Sequence, residues 1–376
     1  MKICHVCSAH SVDDTRVFHK ECVSLAAAGY EVHLIATGEI KEGRKEYQHQ
    51  GVTVHPLPKP PSRRERLKRR AMVARLAASI NPDLFHVHEA ELLGPVISAA
   101  KGRPVIWDVH ESYLDVLMDR HWIPKRLRPL LCSAWDKSER RLLKKCAGVV
   151  AVTDQVAQRY KALHHNVKII ANYPDIKAFD ALPLPTRDGK TCVYAGSISS
   201  NRGIPVAFEA LAILKKRGLS PTFKLAGRAS SEEYLQSLLA KAKELEIAEL
   251  VHYEGVLSRG DSVLLENNAS ISVLPSLPYG NNLAAIPVKM IECMALGLPI
   301  VYSDLPNHEA IAGPAKAGIG FDIDKPEQMA DAIEYLIKNP QEAQQMGEAA
   351  RRAVHEKLNW DAEFPKLLAL YSEVLA

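Results

Sequence analysis

Cys192-Val193-Tyr194-Ala195-Gly196-Ser197-Ile198-Ser199-Ser200-Asn201-Arg202-Gly203 reads as a strand, a loop of small residues, one cation and the start of a helix. A strand that passes through small residues into a helix opens a βαβ unit, and successive units of this kind build a parallel sheet. Gly196 and the serines let a ligand approach the backbone. Free N–H groups at a helix start attract anions, and Arg202 can fork onto phosphate oxygens. The loop therefore reads either as a diphosphate site or as a plain turn. It lacks the G-x-G-x-x-G spacing of dinucleotide-dependent oxidoreductases.

The same alternation runs outward in both directions. Before this stretch, strands are expected at 2–7, 31–36, 52–55, 84–87, 104–109, 148–152 and 167–170, with helices at about 16–28, 62–80, 89–100, 124–146 and 154–161. From 191 onward, strands are expected at 191–195, 222–226, 250–254, 270–274, 299–302 and 318–321. The helices between and after them fall near 203–217, 231–246, 260–267, 286–296, 326–338, 340–356 and 360–375. The Pro-rich piece at 173–190 reads as a linker. The expectation is an α/β protein with an N-terminal domain over 1–172, a C-terminal domain over 191–356, and a last helix at 357–376 that packs back on the first domain. A chain of 376 residues suits two domains. In doubly wound sheets, ligands bind beyond the carboxyl ends of the strands, so a cleft between two such domains is expected.

Composition narrows the class. Hydrophobic residues make up 47% and charged residues 24% of the chain, which excludes collagen-like, disordered and coiled-coil architectures. Neither a signal peptide nor a membrane span is expected, because Met1-Lys2-Ile3-Cys4-His5-Val6 enters a strand directly. The seven cysteines are odd in number and scattered, which points to a reducing, cytoplasmic setting. Cys4 and Cys7 form a C-x-x-C inside a strand, where they read as core residues rather than a redox or zinc pair.

A second dense segment is Asn281-Asn282-Leu283-Ala284-Ala285-Ile286-Pro287-Val288-Lys289-Met290-Ile291-Glu292-Cys293-Met294-Ala295-Leu296-Gly297. Pro287 suits the first turn of a helix and Gly297 its end. Lys289 and Glu292 share a face, where they form a surface pair or a ligand site: the helix start would meet phosphates and Glu292 would accept from ribose hydroxyls. In the first half, Asp108-Val109-His110-Glu111 and His86-Val87-His88-Glu89-Ala90-Glu91 each follow a strand. His86 and His88 would share one strand face while Glu89 points away. Asp322-Ile323-Asp324 resembles a metal-binding D-x-D superficially and reads as a loop.

Taken in order, these segments resemble the retaining glycosyltransferases of the GT-B fold, family four (glycosyl transferases group one). Asp13-Asp14-Thr15-Arg16 and Leu25-Ala26-Ala27-Ala28-Gly29-Tyr30-Glu31-Val32 resemble the family's opening. Val152-Thr153, Asn172-Tyr173-Pro174, Leu225-Ala226-Gly227 and Tyr253-Glu254-Gly255-Val256 follow where its landmarks fall. The resemblance implies two Rossmann-like domains facing each other across a cleft. It also implies transfer of a sugar from a nucleotide-sugar donor to a carbohydrate or lipid-linked acceptor, with retention and without metal or other cofactor, in cell-envelope or exopolysaccharide synthesis.

Residue by residue, the resemblance places Gly196, Ser197, Arg202, Gly203, Ala285, Ile286, Pro287, Lys289 and Glu292 on the donor. Asp108, His110 and Glu111 fall at the catalytic centre, and Arg16, His88 and Glu89 on the acceptor side. Ser197 stands where an arginine often serves the phosphates, and Ala284 where a first glutamate contacts the transferred sugar. Pro287-x-Lys289 resembles a subgroup lacking that glutamate, in which backbone at 283–286 and Lys289 would share its work. Two other readings remain: a nucleotide-sugar epimerase of the same architecture, and a non-catalytic nucleotide-sugar-binding partner of another transferase.

Charge is uneven. Through residue 180 there are 29 Lys and Arg against 20 Asp and Glu, a balance of +9, and the remainder has 19 against 24, a balance of −5. The helix at 62–76 concentrates Arg63, Arg64, Arg66, Lys68, Arg69, Arg70 and Arg75. It suits an anionic membrane surface, an acidic acceptor, or simple solvation. Nucleic acid is not expected, since aromatics are not interleaved.

Overall fold

The computed structural model describes residues 1–39, 46–111, 113–119, 123–183, 185–279, 282–283 and 285–376. The chain divides into two compact units, the first Met1–Asn172 with Glu363–Ala376, the second Tyr173–Ala362.

In the first unit, strands β1 (Lys2–Ser11), β2 (Glu31–Thr37), β3 (Tyr47–His49), β4 (Val52–Leu57), β5 (Leu84–Val87), β6 (Val105–Val109), β7 (Gly148–Ala151) and β8 (Val167–Ile169) form one sheet. Its order is β3-β4-β2-β1-β5-β6-β7-β8. Neighbours pair in parallel except β3, which runs antiparallel to β4 at the edge. The apolar runs in these strands are nearly continuous because a parallel sheet is covered on both faces.

One face is apolar: Cys4, Phe85, Val87, Trp107 and Val149 pack in one cluster with Val73, Leu93 and Tyr160 of the covering helices. The other face is unusual. In register across the sheet, His5 stands beside His86 and His86 beside Ile106. A period of two then puts His5, His86, His88, Asp108 and His110 on one side. A π-helical turn, Thr15–Cys22, carries Arg16 and Glu21 into this region, and residues from Glu363 onward in the last helix bring Tyr371. The wide turn is opened by Asp14, whose carboxylate accepts from the N–H groups of Arg16 and Val17.

In the second unit, β9 (Cys192–Ala195), β10 (Phe223–Ala226), β11 (Val251–Tyr253), β12 (Ile271–Leu274), β13 (Ile300–Ser303) and β14 (Gly318–Phe321) form a six-stranded sheet in the order β11-β10-β9-β12-β13-β14. Counted within the unit this is the 3-2-1-4-5-6 order of dinucleotide-binding folds, with its switch point between β9 and β12. The corresponding point in the first unit lies between β1 and β5. The loops that leave those four strands carry most of the residues singled out in the sequence.

Four features differ from the sequence reading. Residues 173–190 are built into the second unit rather than standing as a linker: Phe179 is buried, and Arg187 donates to the carbonyls of Asn267, Leu296 and Gly297. A helix at Pro306–Ala315 was not expected, because Gly313 and Pro314 near its end mask the pattern. The short edge strand β3 and the helix Tyr113–Asp119 were also not expected.

Candidate functional site

In the second unit, a pocket of about 320 Å³ opens at the carboxyl ends of β9 and β12. Gly196, Ser197 and Arg202 line one side. Ala285, Ile286, Pro287, Val288 and Lys289 line another, and Asn307 and His308 close a third. A contiguous pocket shares Gly196, Ser197 and Lys289 and adds Arg228, Arg259 and Glu292.

The helix Val288–Ala295 starts at this pocket with no side chain capping it; the Val288 N–H donates to the Ile286 carbonyl, and those of Lys289 and Met290 are left to meet an anion. Arg202 is held by Asn282, whose Oδ1 accepts from it at 3.1 Å, while its Nε has no partner among the described residues. Lys289 Nζ lies 2.8 Å from Glu292 and 3.3 Å from the buried Glu266. Burial works against the charged amine, but the two carboxylates outweigh it and hold the lysine above its ordinary range. Burial raises Glu266 to about 7 despite Lys289. The pocket therefore presents two cations and a helix N-terminus together, beside a carboxylate.

Gly203, expected on the donor, lines neither pocket. It has φ +61° at the head of helix Ile204–Lys216, and a Cβ there would meet the Pro275 carbonyl oxygen at 1.7 Å, so its role is to bring β9's loop against β12's. Ala284 lies outside the described residues.

In the first unit, a second pocket of about 340 Å³ is lined by His10, Arg66, His88, Glu89, Asp108, His110, Glu111 and Tyr113, among others. His110 is partly exposed there, and its Nε2 lies 3.2 Å from His88 Nδ1 and 3.6 Å from Asp108. Glu111 is half-buried at the rim.

The other expected residues are brought together but face inward. Asp108 is fully buried and accepts three hydrogen bonds from Arg16, so it supports His110 from behind instead of meeting substrate. Burial would raise it, but Arg16, His110 and His86 hold it below the usual carboxylate range. Arg16 was expected on the acceptor side. Its guanidinium is instead sealed in, bound to Asp108, to Glu21 at 3.0 Å and to the Ile170 carbonyl. Glu89 was expected there too, yet its carboxylate accepts from the N–H groups of Ser8, Ala9 and His10 and from the His10 ring. It shapes the loop after β1 and has little left for a ligand. His88 is buried between His5 and His110.

Three groups of metal-ligating side chains lie within reach of one ion among the described residues: His5/Glu21/His86/His88, Cys7/His10/Glu89 and His88/Asp108/His110. In the second group the backbone already satisfies Glu89, and in the third Arg16 occupies Asp108. Asp322-Ile323-Asp324 forms a surface turn, with Asp322 paired to Lys325 and accepting from the Asp324 N–H.

Two family models match. That of the glycosyl transferase 4-like domain covers residues 15–172, and that of glycosyl transferases group 1 covers 177–353. The chain belongs to the family-four GT-B glycosyltransferases.

Among relatives, this glycosyltransferase is 24% identical over 194 residues to the alpha-D-kanosaminyltransferase of Streptomyces kanamyceticus, covering 50% of this chain and 46% of that one. It is 29% identical over 131 residues to the amylovoran biosynthesis glycosyltransferase AmsK of Erwinia amylovora, covering 35% and 30%. The matches thus span about half or less of those proteins. In fold, it superposes on Anabaena HepE in complex with UDP with a TM-score of 0.69 at 16% identity, covering 99% and 100% of the two chains.

Several residues at or behind the pocket of the glycosyltransferase escaped the sequence reading. Asn282 anchors Arg202 and lies within the quoted segment, but nothing local marks it. His308 Nδ1 donates to the Ser303 carbonyl, which leaves Nε2 at the pocket; the signal was Pro306-Asn307-His308 after a strand. Glu266 comes from a helix more than twenty residues earlier, so only the fold joins it to Lys289.

Proposed function

We propose that this glycosyltransferase binds a nucleoside diphosphate sugar through its second unit and transfers the sugar, with retention of anomeric configuration, to a carbohydrate or lipid-linked acceptor. The observation that carries the reading is the convergence of Arg202, Lys289 and the uncapped start of helix Val288–Ala295 on one pocket, with Glu292 adjoining. Breaking the anomeric C–O bond places negative charge on the departing diphosphate. Two cations and a helix N-terminus are already oriented to receive that charge, which is the work a divalent metal does in other transferases. The transfer is accordingly proposed to need no metal.

Lys289 is shared between Glu266 and Glu292. A diphosphate offers it a doubly charged alternative, and Glu292 is then released to accept hydrogen bonds from ribose hydroxyls. Attack from the leaving-group face gives retention, with the departing phosphate oxygen taking the acceptor proton. His110 and Glu111 stand at the pocket of the first unit as the groups that meet sugar hydroxyls. Since Anabaena HepE was solved with UDP, uridine is the first base to test, and the AmsK likeness makes an exopolysaccharide or envelope glycan the first product class.

Thermal unfolding with UDP, GDP, ADP and dTDP and their sugars tests this reading. A ligand at 100 times its Kd should stabilise the protein by about 2.7 kcal/mol. One nucleotide series is expected to do so, with the shift lost in Arg202→Ala. Silence from all four sinks the diphosphate site. The donor sugar should then stay intact until an acceptor is added; conversion of donor alone would favour an epimerase.

A second observation favours a membrane-side acceptor. On helix Arg63–Ser79, which Ser62 caps, Leu67 and Met72 are exposed among the exposed Arg64, Lys68 and Arg70. Exposed apolar side chains within a cationic face suit docking on anionic lipid from the cytoplasmic side. No helix among the described residues is long and apolar enough to cross a membrane.

A further inference from the structure

Four histidines and a tyrosine of the first unit form one hydrogen-bonded chain that ends at its pocket. His110 Nε2 lies 3.2 Å from His88 Nδ1, and His88 Nε2 lies 3.0 Å from His5 Nδ1. His5 Nε2 lies 3.3 Å from the Tyr371 hydroxyl, and that hydroxyl lies 2.6 Å from His86 Nδ1. Burial is the first cause that lowers all four imidazoles, His86 and His110 to about 4, so the rings are neutral. A neutral imidazole carries one N–H, and each interior ring must therefore donate on one side and accept on the other. Because the tyrosine hydroxyl can accept twice, three proton arrangements satisfy the whole chain: every bond pointing from His110 toward His86, every bond reversed, or both ends pointing toward Tyr371. His110 carries its hydrogen on Nε2 in the first and the third.

Asp108 discriminates between them. Its Oδ2 lies 3.6 Å from His110 Nε2, the nitrogen that bonds His88, and 3.8 Å from His86 Nε2, the nitrogen turned away from Tyr371. In the first arrangement both nitrogens carry hydrogen beside the carboxylate, and in the third that of His110 does. In the second both present bare lone pairs to it, and only His88 Nδ1, 3.6 Å away, offers a hydrogen. The other charged neighbours do not choose. Glu21 Oε2 lies 3.7 Å from His5 Nδ1 and 3.8 Å from His88 Nε2, and a hydrogen sits between those two atoms in every arrangement. Arg16 is bound to Asp108 and Glu21, and His10 to Glu89. With Nε2 protonated, His110 keeps a lone pair on Nδ1, which no described residue engages.

We propose that His5, His86, His88 and Tyr371 are positioning residues that hold His110 in its Nε2–H form, so that Nδ1 accepts a hydrogen bond from a sugar hydroxyl. The use of that lone pair rests on the glycosyltransferase reading; the tautomer itself does not. Tyr371 comes from the far end of the sequence, so this assigns a role in the site to a residue 261 positions from His110.

The test is ¹⁵N imidazole NMR on the full chain with labelled histidine, His110 being identified by the signals lost in His110→Gln. The expected wild-type spectrum has Nε2 of His110 protonated and Nδ1 bare. In Tyr371→Phe, which cuts the chain but keeps the ring, both tautomers should appear. Turnover should fall about tenfold while the Kd for nucleotide is unchanged, since the nucleotide pocket is in the other unit. A wild-type Nδ1–H, an unaltered tautomer in Tyr371→Phe, or a stoichiometric metal ion in the purified protein each overturns the proposal. If Tyr371→Phe does not fold, the wild-type spectrum and His5→Gln decide. Absence of transfer by a wild type with the expected spectrum would instead count against the functional reading.

Discussion

The two units place polar groups at the same topological position, beyond the strand ends at the switch point, yet use them differently. In the first unit Arg16, Asp108, Glu21 and three histidines are sealed from water and bonded mainly to one another. In the second unit Arg202 and Lys289 are only partly buried, and their partners are groups that a ligand can replace. A closed network fixes the direction of the few atoms that emerge from it; a half-open one keeps charge available for a ligand. The cost of a closed network is that each member depends on the others.

The comparison breaks most visibly at Asp108. Asp108→Ala leaves the buried guanidinium of Arg16 without its main partner, and a loss of about 3–5 kcal/mol in unfolding free energy is expected by denaturant titration. A loss under 1 kcal/mol would mean that the network is not closed. Arg202→Ala should behave in the opposite way. Stability should hold, and the affinity for nucleoside diphosphate should fall by about 1.5–3 kcal/mol, ten- to a hundredfold, by calorimetry.

Glu266 sharpens the contrast, because burial holds it near 7, above its ordinary value of 4.5. A carboxyl raised in the folded state binds its proton more tightly there than in the unfolded chain. Its contribution is complete below about pH 4.5 and is lost as pH rises toward 7, at up to about 1.4 kcal/mol per pH unit. Glu266→Gln should flatten that part of the stability–pH curve; an unchanged slope would place the titration elsewhere. The smallest effect is expected on the exposed helix. Arg64→Gln with Arg70→Gln should leave the unfolding midpoint unchanged and weaken binding to phosphatidylserine vesicles by about 1 kcal/mol per cation. Equal binding by the double variant would remove the membrane reading.

What the sequence made legible follows from the same difference. Strands β1, β5, β6 and β9 announce themselves as apolar runs, and Gly196, Arg202, Lys289 and Glu292 sit in local patterns whose geometry a strand–loop–helix reading already implies. The inward roles of Arg16 and Glu89 were not legible. A charged residue beside a loop reads as exposed until its partners are known, and those partners lie 92 and about 80 residues away. Glu266 and Tyr371 were hidden for the same reason: each meets its partner only after the sheet has formed.

The last helix bears on how the chain is made. Its residues from Glu363 onward belong to the first unit, and Tyr371 closes a bond to His86 in that unit's interior. During synthesis residues 173–362 are all translated before the first unit receives its final piece. The part translated first is therefore the part completed last, and until then several imidazoles meant for a dry interior remain open to water. A released chain that ends at residue 362 should hold a nucleotide-competent second unit beside a first unit that is still protease-sensitive.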